Sequence, residues 1–80
     1  MRATVLVRPK HGILDPQGEA VGSSLRQLGF AVSEARVGKV VDVELDASDP
    51  AAARAELERM CEQLLANPLI ESYEIELSAA

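Results

Sequence analysis

The dipeptide Asp-Pro occurs twice in these 80 residues, at Asp15-Pro16 and at Asp49-Pro50, and each time it opens a stretch with helical spacing. Both residues suit a helix start. The aspartate carboxylate accepts from backbone N–H groups that a first turn leaves unpaired. Proline has no N–H to lose there, and its fixed φ already lies in the helical range. The two starts divide the chain into halves of one plan, a strand, a helix and a strand. The shared device is convergent helix grammar rather than a true sequence repeat.

In the first half, ATVLVR over residues 3–8 places Ala3, Val5 and Val7 on one face and Thr4, Leu6 and Arg8 on the other, as a β-strand does. Pro9 and Gly12 mark a loop. The first helix is expected over Pro16–Leu28, with Val21, Leu25 and Leu28 on one side. Gly29 is its left-handed stop, and Phe30 reaches back to Leu25. Gly18 and Gly22 weaken its first turns by about 0.8–1 kcal/mol each relative to alanine. Two accounts of them are open. The helix lies tight on its own sheet, or it presents bare backbone to a neighbouring subunit.

In the second half, Val40–Asp46 alternates Val41, Val43 and Leu45 with Asp42, Glu44 and Asp46. Val32–Val37 alternates less well, because Val32 is out of phase with Ala35 and Val37, and a bulge or a late strand start would account for it. The short Gly38-Lys39 connection predicts that these two strands form a hairpin. The second helix has the apolar stripe Ala53, Leu57, Met60, Cys61 and Leu64, and Asn67-Pro68 ends it. A last strand over Ile70–Leu77 turns Tyr73, Ile75 and Leu77 inward. The resulting order, βαββαβ, predicts an α+β, two-layer ferredoxin-like fold. An antiparallel sheet of four strands has both helices on one face and its first strand between the third and fourth. On the open face, Arg2 and Arg8 meet Asp42, Glu44, Glu74 and Glu76 as a cross-strand charge ladder.

A chain of this length forms one domain, residues 1–80, with a small core. A single cysteine, Cys61, and a single histidine, His11, allow neither an internal disulfide nor a zinc site of the usual kind. Self-association is therefore the expected support. Acidic residues outnumber basic ones 13 to 8, and the net charge of −5 with only Phe30 and Tyr73 as aromatics argues against nucleic acid. No apolar run approaches a membrane span and no signal-peptide pattern opens the chain, so the expected location is the cytoplasm.

The residues also argue against chemistry in this chain. Cys61 lies on an apolar helix stripe, as a small buried hydrophobe does. Asp15 and Asp49 are spent as caps, and the other carboxylates face solvent, which offers no cleft to shift them. The loop KHGILDPQG is not a phosphate-binding loop. No catalytic, cofactor-binding or metal-ligating residue is expected.

The succession of the first strand, GILDPQGEAV, LGF, RVGK before an acidic strand, and MCEQLLANPLIESYEIE resembles the PurS family over nearly the whole chain. PurS is the small subunit of phosphoribosylformylglycinamidine synthase. One departure is His11, where a typical member has proline. The resemblance implies a non-catalytic subunit of an ATP-dependent carbon–nitrogen ligase in de novo purine biosynthesis. It implies a glutaminase subunit and a synthetase subunit as partners, held together so that glutamine-derived ammonia converts formylglycinamide ribonucleotide to the amidine. ATP and glutamine would be used by the whole complex, with no cofactor on this chain. A dimeric regulatory domain that binds a small molecule is the alternative that the fold allows. A small acylphosphatase-like hydrolase is a third, with Asn67 its only asparagine.

The ferredoxin-like plan also gathers Arg8, Lys10, His11, Arg36 and Lys39 at one end, with Gln17 and Gly18 beside them. Four of the eight Lys and Arg residues lie there, opposite Asp46, Asp49 and Glu76. This end is the expected partner interface, facing an acidic surface of the synthetase or glutaminase subunit.

Overall fold

The computed structural model describes residues 1–78. Strands β1 (Arg2–Pro9), β2 (Lys39–Glu44) and β3 (Glu71–Ser78) form one antiparallel sheet in the order β2-β1-β3. Helices α1 (Pro16–Gln27) and α2 (Pro50–Met60) follow β1 and β2. The central place of β1 is the expected one. Its register sets Val5 beside both Val41 and Ile75, so the inward residues of the three strands line up in rows. Ala3, Val5 and Val7 are buried on that face in one cluster with Leu57, Cys61 and Ala66 of the α2 segment and its end. On the other face Arg2 meets Glu44 at 3.4 Å, Thr4 meets Asp42 at 3.0 Å and Arg8 meets Glu74 at 3.2 Å. This is the predicted ladder. Exposed pairs of this kind contribute about 0–1 kcal/mol each, so the ladder serves register more than stability.

Both helices start on their aspartates. Asp15 Oδ1 accepts from Gly18 N–H at 3.0 Å, and Asp49 Oδ1 from Ala51 N–H at 3.3 Å. α1 ends at Gly29, whose φ is +97°. There Phe30 N–H donates to Leu25 C=O at 3.1 Å and Gly29 N–H to Arg26 C=O at 3.0 Å, which satisfies carbonyls the helix end would leave open.

The predicted hairpin is absent, and no strand forms over Val32–Val37. The commonest short hairpin loops hold two residues and need positive φ at one of them at least. Lys39 already belongs to β2, opposite Val7, which leaves Gly38 alone to turn the chain. Gly38 does not adopt a positive φ; among the described residues only Gly12 and Gly29 do. The chain therefore does not reverse. Arg36 and Gly38 continue the line of β2 alongside the last residues of β1, where Gly38 crosses the Val7 carbonyl so closely that a Cβ would strike its oxygen.

α1 goes with this segment. Gly18 and Gly22 are buried against Ala35 and Arg36, whereas the core face of the sheet is covered by α2 and the turn that follows it. The α+β ferredoxin-like class holds, but α1 occupies no place on its own sheet. The shape follows: the radius of gyration is 15.8 Å and the extents are 48 × 27 × 14 Å, where a compact domain of 80 residues has a radius of about 12 Å.

One smaller correction concerns Leu64, which is 81% exposed rather than part of the core stripe. After Met60 the helix widens into a π-turn over Cys61–Leu65, closed by Ala66 N–H to Cys61 C=O at 3.0 Å. The wider turn rotates Leu64 off the core face and brings Leu65 and Ala66 onto it.

Candidate partner surface

The end of β1 and the start of β2 bring three of the expected cations onto one cleft. Arg8 comes from β1, Lys39 opens β2 beside Val7, and Arg36 lies on the segment that prolongs β2. Leu6, Val7, Pro9, Gly38 and Val40 complete the lining of a cleft of about 360 Å³. Leu6 and Val40 pair across the strands on the otherwise charged face. Sequence reasoning passed over them, although two outward apolar residues among Arg8, Asp42 and Glu44 were the available signal.

The cations differ in how they are held. Arg8 is engaged by Glu74. The Arg36 guanidinium donates to the carbonyl oxygens of Pro9 and Lys10, the latter at 2.7 Å, and lies 3.9 Å from Glu34. It thus pins the segment after α1 to the loop after β1. Lys10 donates from Nζ to Pro68 C=O at 2.6 Å and turns away from the cleft. Among the described residues Lys39 makes no side-chain hydrogen bond or ion pair, so its ammonium is the group most open to a partner.

Asp15 organises the other side of this end. One carboxylate oxygen caps α1, and the other accepts from Val37 N–H at 2.9 Å. The Val37 and Gly18 bonds, with Arg36 nearby, hold its carboxyl below the usual carboxylate range, and its partial burial opposes them. His11 and Gln17 are exposed but do not line the cleft, and Gly18 is buried. A Cβ at Gly18 would stand 2.5 Å from the Ala35 carbonyl oxygen and 2.9 Å from Arg36 Cα. Of the two accounts left open for the glycines, packing within the chain is the one the structure has. It takes place on the segment after α1 rather than on the sheet, and it withdraws Gly18 from any surface.

Cys61 and His11 lie apart from this cleft. Cys61 is buried under the sheet, where burial pushes its thiol pKa up, and Glu62 and Glu58 push it further. His11 stands in the exposed loop after β1. Among the described residues no three metal-ligating side chains cluster, and no helix is long and apolar enough to cross a membrane.

Comparison with known proteins identifies the family. The family model PurS, described as phosphoribosylformylglycinamidine (FGAM) synthase, matches residues 2–79. The phosphoribosylformylglycinamidine synthase subunit PurS of Synechocystis is 48% identical over 79 residues, which span 98% of this chain and 77% of that relative. The crystal structure of Methanocaldococcus jannaschii PurS, one of the subunits of formylglycinamide ribonucleotide amidotransferase in the purine biosynthetic pathway, has a TM-score of 0.86 at 36% identity. It covers 99% of this chain and 96% of its own. A chain in the structure of PurLQS from Thermotoga maritima has a TM-score of 0.85 at 32% identity, covering 94% of this chain and 93% of its own.

Proposed function

The chain belongs to the PurS family, and on that footing we propose that it is the assembly subunit of phosphoribosylformylglycinamidine synthase in de novo purine biosynthesis. It joins a glutaminase subunit and an ATP-dependent synthetase subunit, so that ammonia from glutamine reaches formylglycinamide ribonucleotide. The chain works in the cytoplasm and associates with copies of itself. ATP and glutamine are handled by the partner subunits, and this chain contributes surface rather than reacting groups. The observation that carries the reading is the likeness, over nearly the full length of both chains, to a component of PurLQS. The buried thiol of Cys61 and the exposed, separate position of His11 support the non-catalytic part of it.

The interface is the basic end. Arg8, Lys10, His11, Gln17, Arg36 and Lys39 present positive and polar groups on a chain of net charge −5, and an acidic partner surface complements them. Exposed charges of this sort act mainly on the association rate and are screened within about 8 Å at physiological ionic strength. Lys39→Glu is the clean probe, because Arg36 also holds the fold together. The variant is expected to keep its circular dichroism spectrum and to assemble with the glutaminase and synthetase subunits more slowly. The defect should shrink as salt is raised. Wild-type assembly kinetics in Lys39→Glu at low salt would place the interface elsewhere. Failure of the wild-type chain to co-purify with either subunit would overturn the assembly role itself.

A further inference from the structure

We propose that the loops 10–14 and 66–70 together form an apolar anchor, which enters a carboxylate-rimmed apolar pocket on a catalytic partner subunit. The proposal rests on the assembly role given above and deepens it, because the cations of the basic end become the rim of this anchor.

Strand register brings the two loops together. Pro9, the last residue of β1, lies opposite Glu71, the first of β3. Beyond that pair Lys10 N–H donates to Ile70 C=O at 2.8 Å, and Lys10 Nζ reaches Pro68 C=O. Among the described residues nine large apolar side chains are exposed, and Ile13, Leu14, Leu69 and Ile70 are four of them. Apolar residues scattered singly on a surface are ordinary, but four on two bonded loops make a patch of the kind that marks a contact. Leu64, in the turn that leads into the second loop, is a fifth. Leu69 is the most exposed of the nine, at 84%. None of the five belongs to the core cluster, so the fold does not require them to be apolar.

The turn that carries Leu69 is fixed by its own polar groups. Asn67 Oδ1 accepts from Leu69 N–H at 3.1 Å. Asn67 C=O accepts from Ile70 N–H at 3.0 Å and from Glu71 N–H at 2.7 Å. The Glu71 carboxylate in turn accepts from Asn67 N–H at 2.7 Å. On the other loop Ile13 N–H donates to Lys10 C=O at 3.2 Å, and the Arg36 guanidinium holds the same carbonyl. An apolar side chain on backbone already ordered loses little freedom when a partner covers it, which is what a binding hot spot needs.

Shape and charge choose the occupant. Leu14 and Leu69 protrude, and a protruding side chain fills a pocket rather than forming one. The Lys10 ammonium lies beside Pro68, and among the described residues no carboxylate pairs with it. A second copy of the chain is a poor match. A two-fold contact through this patch would set protruding leucines against each other and Lys10 against Lys10. The cleft of another copy is lined by Arg8, Arg36 and Lys39 and would repel the same ammonium. An apolar pocket with an acidic rim answers both the leucines and the lysine. Arg36 makes the surface continuous, since it holds the Lys10 carbonyl and also lines the cleft that Lys39 borders.

Leu69→Ser and Ile13→Ser test this in the full chain, with the glutaminase and synthetase subunits each immobilised in turn. Both variants should keep the circular dichroism spectrum and the sedimentation of wild type. Leu69→Ser should dissociate from one of the subunits roughly thirtyfold faster, the loss of a strong hot spot. Its association rate should stay near wild type, and the defect should not shrink as salt is raised, in contrast to Lys39→Glu. Leu69→Met keeps an apolar side chain of similar volume and should dissociate as slowly as wild type. Wild-type dissociation of both serine variants from both subunits would overturn the anchor and leave the assembly role standing. Altered sedimentation of a folded serine variant would show the patch joining copies of the chain, which overturns the proposal as well. Binding of the wild-type chain to neither subunit would overturn the assembly role and the anchor with it.

Discussion

Gly18 and Gly22 sit one turn apart in α1, and replacing each with alanine should move stability in opposite directions. Relief of glycine's helix penalty favours both substitutions by about 0.8–1 kcal/mol. At Gly22 the new methyl would stand 3.6 Å from Ala35 Cβ, an ordinary contact, and 3.3 Å from Arg26 Nη1, the end of a flexible side chain. Most of the helix gain should survive, raising the melting temperature by about 4–8 °C per kcal/mol for a domain of this size. At Gly18 the methyl would meet backbone, at 2.5 Å from Ala35 O and 2.9 Å from Arg36 Cα. Backbone held by Asp15 and Arg36 cannot swing aside as a side chain can. Overpacking of this kind costs about 1–3 kcal/mol, so Gly18→Ala should be destabilising by up to about 2 kcal/mol after the helix gain is subtracted. Urea denaturation of both variants at one fixed protein concentration measures the difference, since the stability of an associating chain depends on concentration. If both alanines stabilise, or both destabilise alike, the close approach of α1 to the Ala35–Arg36 backbone is wrong.

Leu57 is wholly buried between α2 and the sheet, and Leu57→Ala should cost about 2–5 kcal/mol. That is a large part of the roughly 4–12 kcal/mol expected of 80 residues, so urea unfolding should show a sharply lowered midpoint. Asp15 has a lowered native pKa because Val37 N–H, Gly18 N–H and Arg36 favour its charged form. Its contribution is present above the unfolded value of about 4 and is lost as pH falls through the lower native value. Asp15→Asn should therefore flatten the acid limb of the stability profile in denaturation series from pH 6 to pH 2. The Cys61 thiol, buried and shifted upward, should react slowly with iodoacetamide at neutral pH until the chain is unfolded. Cys61→Ala should leave the activity of the reconstituted complex mostly intact, as steady-state assays with glutamine would show.

Local rules made most of the elements legible. Asp15-Pro16 and Asp49-Pro50 start both helices, Gly29 stops the first, and alternation gives the faces of all three strands, because each of these rests on a few neighbouring residues. Leu64 was misplaced because a π-turn breaks the period that the stripe assumes, and no residue type signals such a turn. The hairpin was misplaced for a larger reason. The pattern of Val32–Val37 marks a strand but not which strand it pairs with, and a two-residue connection looks ample until register assigns Lys39 to β2. The basic end was half legible. Arg8, Arg36 and Lys39 do meet on one cleft, although the hairpin expected to bring them there is absent. They meet because the segment runs straight alongside the end of β1, where the Arg36 guanidinium can reach the Pro9 and Lys10 carbonyls. The straight run through Gly38 thus does two things at once. It denies the chain its own fourth strand, and it builds the cationic end proposed above as the partner interface. A turn inserted at Gly38 would separate these consequences, since it would close the sheet while withdrawing Arg36 from the cleft.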